Sequence, residues 1–234
     1  MSKIKQNPPS ANMNVNYEDL KDILQGVDTI YVYPHHGINL VKGEFEQTRS
    51  GPNWEGGVVT MTTCKHLLRT YSTIKEKKVA ICGVTNKLEG ENFLMYVGVI
   101  DKTFESNYDL GEYLEFNNPD AGRIKSATNN RLGDLFDSER ELQGEDRFDS
   151  FSFIEPCFDH CRSEENDSKG NPKWLKDIEY STRNGSRPKC LIIEPVTVHT
   201  KPVFTWNGKL GRSGVVFRGT DSIEQFINNV DLPL

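Results

Sequence analysis

The run Thr60-Met-Thr-Thr-Cys-Lys-His-Leu-Leu-Arg69, followed by Tyr71, is where the residue types and spacing of this chain point most directly to chemistry. A β-branched stretch at residues 57–62 leads into helical spacing from about Cys64 to Ser72. There Cys64, Leu67, Leu68 and Tyr71 fall at i, i+3, i+4 and i+7 on one stripe. Lys65 and Arg69 are then i, i+4 neighbours on another face, and Thr62 and Thr63 bring hydroxyls to the capping position. A helix start presents unsatisfied backbone N–H groups and partial positive charge, so a lysine in the first turn opposes the dipole by about 0.3–1 kcal/mol. A phosphate held by those N–H groups, Thr62, Thr63, Lys65 and Arg69 would reverse that sign, because every donor then converges on the anion. The alternative is an amphipathic helix with two solvated cations.

His36 and His66 are the candidate proton-transfer groups, since an imidazole exchanges protons near neutral pH. His35 and His36 on an extended segment point opposite ways and cannot readily chelate one metal together. Cys157, His160 and Cys161 put three metal-capable side chains in five residues, but the distant second pair of a structural zinc site is missing, so no metal is assigned. Trp206 and Arg212 flank an Asn-Gly turn and could stack on a base. The P-loop, GxGxxG, GxSxG and HExxH signatures are absent from the chain. No cofactor is specified by any motif.

The bulk properties bound these readings. A chain of 234 residues buries about 70% of its unfolded surface without a metal or disulfide staple. No run approaches the roughly 18 apolar residues of a membrane span, and residues 1–16 lack the apolar core of a secretory signal. Five cysteines without a regular framework fit free thiols in a reducing cytoplasm. The net charge of −6 argues against coating a polyanion. That charge is uneven. Residues 134–167 carry 12 acidic against 3 basic side chains, and residues 169–218 carry 10 basic against 3 acidic. A solvated acidic loop explains the first tract; a basic face toward a phosphate-bearing ligand would explain the second.

The elements that must position these groups follow from periodicity. Residues 1–16 read as a disordered tail and 17–234 as a single α+β domain with a long acidic loop region at 117–170. Tyr17–Gln25 has helical spacing closed by Gly26, and Thr29–Tyr33 is a strand that Pro34 stops. Residues 35–56 read as a long loop. Lys78–Val84 and Phe93–Ile100 are buried strands, antiparallel across the Asn86–Asn92 loop, and Tyr108–Phe116 is a short helix. Asn184-Gly185 and Asn207-Gly208 are hairpin signals. Gly214–Arg218 adds a further strand, and Asp221-Ser-Ile-Glu224 is a capping box opening a last helix with Ile223, Phe226, Ile227 and Val230 inward. The expected architecture is a mainly antiparallel, barrel-like sheet with three or four flanking helices.

The segment TMTTCKHLLR resembles the second type of nucleotide modification associated domain, a family of phage and bacterial gene neighbourhoods linked to DNA base modification. Its Thr-Leu-Ala-x-Cys-Lys-Pro-x-Ile-Arg pattern maps onto Thr60, Cys64, Lys65 and Arg69. Gly83 closing VAICG, Tyr96 in FLMYVGVI, the FTWNGK turn, Arg218-Gly219 and the closing helix are similar to later features of that family. The resemblance implies a nucleotide- or DNA-binding protein associated with nucleic-acid base modification or phage–host conflict. A non-enzymatic reader of modified nucleic acid and a metal-dependent nuclease using the acidic tract are the alternatives. None of the three calls for a membrane partner.

Overall fold

The computed structural model describes residues 17–47, 52, 55–62, 66–70, 77–105, 107–125, 189–211 and 214–232. In chain order the elements are α1 (Tyr17–Leu24), β1 (Thr29–His35), β2 (Ile38–Val41), β3 (Glu44–Gln47), a 3-10 turn (Glu55–Gly57), β4 (Val59–Met61), α2 (His66–Thr70), β5 (Val79–Thr85), β6 (Leu94–Phe104), α3 (Asn107–Asn117), α4 (Pro119–Lys125), β7 (Cys190–Val198), β8 (Thr205–Trp206), β9 (Val215–Arg218), α5 (Ser222–Ile227) and β10 (Val230–Asp231). The expected α+β class is observed, with mostly antiparallel strands and five α-helices among the described residues. The sheet stays open and does not close into a barrel, since β9 ends it with one neighbour only.

Contacts group the chain into two compact units. One holds the described residues of 52–70 and 102–192, and the other those of 17–47, 77–101 and 193–232. β6 and β7 each have residues in both.

In the second unit the strand order is β7-β6-β5-β1-β9. β1 and β5 are parallel, from Thr29 opposite Val79 to His35 opposite Thr85, while β9 runs antiparallel to β1 and β6 antiparallel to β5. Alternation sends Ile30 and Val32 of β1 and Ala80, Cys82 and Val84 of β5 to one face. They meet Leu20 and Leu24 of α1, Phe226 of α5, Phe204 and Trp206 in one apolar core. Leu20 and Leu24 are fully buried one helical turn apart, which is what the spacing of α1 requires; each contributes about 1.5–3 kcal/mol. Gly26, at φ +74, ends that helix in a conformation that costs a side chain dearly. In the first unit a smaller core joins Leu110 and Leu114 of α3, Ala121 of α4, and Cys190 and Ile192 of β7.

Several local expectations are corrected. β1 runs through Pro34 to His35, because its neighbour β9 pairs only with Thr29–Val32 and demands no N–H from residue 34. The supposed long loop at 35–56 contains the β2–β3 hairpin, whose turn residues Lys42 and Gly43 both have positive φ (54 and 76), as a type I′ turn needs. The acidic region 117–170 begins with helix α4. Asn207-Gly208 does not join two paired strands: β8 pairs with β10, and β9 pairs with β1. Asp221 makes no side-chain cap to α5; its backbone carbonyl accepts the Gln225 N–H at 2.9 Å instead. The expected tail at 1–16, the acidic tract 134–167 and the Asn184-Gly185 turn lie outside the described residues.

Candidate functional site

β4 carries three buried residues in a row, Val59, Thr60 and Met61, and buried Thr62 follows. α2 opens four residues later at His66, so a strand does feed a helix here within one unit. Thr63, Cys64 and Lys65, the turn itself, lie outside the described residues, as does the side chain of His66.

Arg69 departs from the picture of a solvated cation on an exposed helix face. It is 2% exposed. Its Nη1 donates to the carbonyl of Lys189 at 2.7 Å, and its own carbonyl accepts the Lys189 N–H at 3.1 Å. This reciprocal pair ties α2 to the start of β7 across 120 positions of sequence. A charged donor on a backbone carbonyl is one of the stronger hydrogen bonds available, about 1.5–3 kcal/mol net. Lys189 in turn reaches Glu105 with its ammonium group, being far less exposed than its carboxylate partner.

Nothing in the local sequence marks Lys125, the last residue of α4, whose side chain is wholly buried, because its burial depends on the packing of α4 rather than on local composition. Of the carboxylates in this unit whose side chains are described, Glu105, Asp109, Glu112, Glu115 and Asp120 are exposed. Buried positive charge is costly unless hydrogen-bonded or matched by negative charge, and both Arg69 and Lys125 have interaction partners. Lys102 adds a further cation, 5.9 Å above the ring of Tyr113.

His36 belongs to the other unit and sits exposed in the turn after β1. Its neighbour His35 is buried at the end of the parallel pair, opposite Thr85. Trp206 is not available for base stacking. It is 2% exposed and packs on Phe226 and Phe217 with centroids 5.6 and 6.2 Å away. Its aromatic area is worth more in that core than at a turn tip. Arg212 and the Cys157–Cys161 cluster lie outside the described residues. Among the described residues no group of three or more His, Cys, Asp or Glu side chains could hold a metal ion, and no helix is long and apolar enough to cross a membrane.

A second residue missed from sequence is His199, just past β7. It is 3% exposed, with its ring edge-on to Phe204 at 5.5 Å and, among the described residues, no hydrogen-bond partner for Nε2. Burial lowers its pKa to about 4, so the ring is neutral at physiological pH. The apolar alternation of VTVHT was the available signal.

Compared with family models, curated proteins and solved structures, the chain has no significant match in any of the three.

Proposed function

We propose that the protein binds a nucleotide or a nucleic acid through a phosphate held at the turn between β4 and α2, in the service of nucleic-acid base modification or phage–host conflict in the cytoplasm. The observation that carries this reading is the passage from β4 to α2, where buried Thr62 follows the strand and a helix opens at His66 within one unit. Thr62, buried at the end of β4, and Lys125, buried at the end of α4, belong to the same unit. The likeness of TMTTCKHLLR to the second nucleotide modification associated domain supports the same ligand class. On this reading Thr62, Thr63, Lys65 and Arg69 hold the phosphate, and His66, in the same unit, moves the proton if a reaction follows.

The test is a thermal shift with nucleoside monophosphates and short DNA duplexes. The wild-type melting temperature should rise with ligand, and Lys65→Ala should abolish the rise. Lys65 is the better probe, because Arg69→Ala also removes the tie to Lys189. Absence of a shift with every ligand tried would overturn the proposal. Binding that survives His66→Ala, with no product by mass spectrometry, would recast the protein as a non-enzymatic reader.

A further inference from the structure

The β2–β3 hairpin, which begins just after His36-Gly37, is fastened to the segment that follows β7, all within the second unit. The Phe45 N–H donates to the Thr200 carbonyl at 2.7 Å, Glu44 and Lys201 pair at 3.7 Å, and the Phe45 ring lies 6.0 Å from Phe93. The residue immediately before that fastening is His199. Its N–H donates to the Met95 carbonyl at 2.6 Å, and its imidazole is packed against Phe204 with Nε2 buried and without a hydrogen-bond partner among the described residues. An imidazole placed this way is tolerated only while neutral, since an imidazolium there would bring a second N–H donor and a charge into an apolar setting.

We propose that His199 is an acid-sensitive latch for the β2–β3 hairpin: the buried neutral ring seats the Thr200 carbonyl where it receives the Phe45 N–H, and protonation drives the ring into water and lets the hairpin go. The charged groups on the elements around it do not stand in the way. Lys201 on its own segment and Glu44 on the hairpin are half exposed and face one another. Lys42 is exposed at the hairpin turn. β6 brings Met95, flanked by Leu94, Val97 and the phenol of Tyr96, and the stretch 202–204 brings Pro202, Val203 and Phe204. Glu46 on the hairpin is a buried carboxylate next in sequence to Phe45. Burial is what lowers the His199 pKa.

Hydrogen exchange followed by mass spectrometry on the full chain tests the latch, comparing peptides of residues 38–47 with those of β5 between pH 7.5 and 4.5 after correction for intrinsic rates. With a pKa of about 4 closed and 6.5 once released, hairpin opening should be about 30-fold more favourable at pH 5 than at pH 7.5. The β5 peptides should change far less. His199→Gln should flatten the hairpin response. The proposal is overturned if both peptides lose protection together, if His199→Gln leaves the acid response unchanged, or if the hairpin becomes more protected in acid. Should His199→Gln fail to fold, the two-peptide comparison in the wild type decides alone.

Discussion

The hydroxyl groups of Tyr33 and Tyr96 meet across Gly83, the strand position that separates them. Tyr33 on β1 and Tyr96 on β6 both face Gly83 on β5, and the two rings sit edge to face with centroids 6.2 Å apart. A Cβ at Gly83 would run into the Tyr96 ring. The glycine is therefore what lets two large side chains close over a strand that lies between them, and both end up buried.

That arrangement makes Gly83→Ala destabilising by about 1–3 kcal/mol, the usual cost of overpacking. Tyr96→Phe should cost about 1–3 kcal/mol by breaking a buried hydrogen bond. In urea unfolding, a double-mutant cycle of Tyr33→Phe and Tyr96→Phe should show coupling of at least 0.5 kcal/mol. Additive losses would mean the hydroxyls do not depend on one another.

Arg69→Ala should lower stability by about 3 kcal/mol without any ligand present, because a buried charged donor and its packing are both lost. Arg69→Lys should recover little, since an ammonium cannot reproduce the guanidinium fork. Denaturation midpoints measure both. A solvated surface arginine would instead give changes within about 0.5 kcal/mol.

Cys82 and Cys190 are both buried, and burial raises the Cys82 thiol well above its ordinary 9.0. Neither should react with Ellman's reagent at pH 8 in the folded protein, whereas all five cysteines should react after denaturation. Above pH 9 the unfolded chain releases the Cys82 proton that the folded chain keeps, so stability should decline as pH rises further.

On the acid side His199 acts with the same logic. Between pH 6.5 and about 4 the unfolded state binds a proton that the folded state refuses, so the melting temperature should fall as pH is lowered through that window. The ceiling is about 3 kcal/mol, reduced by whatever hairpin release relieves. In His199→Gln that part of the pH dependence should vanish in calorimetry.

What the amino-acid order determined by itself is local. The Leu20–Leu24 spacing and Gly26 mark α1, the β-branched runs mark β5 and β6, and the stripe of Ile223, Phe226 and Ile227 marks α5, because each signal is complete within one or two turns of chain. The strand-to-helix passage from Thr60 to Arg69 was legible for the same reason. Only the tertiary structure decided that Arg69 turns inward to Lys189, that Trp206 belongs to the core, that β1 continues through Pro34, and that β8 joins β10 rather than β9. These outcomes depend on partners distant in sequence. A side chain's burial is set by what long-range pairing leaves above it, and no window of neighbouring residues contains that information.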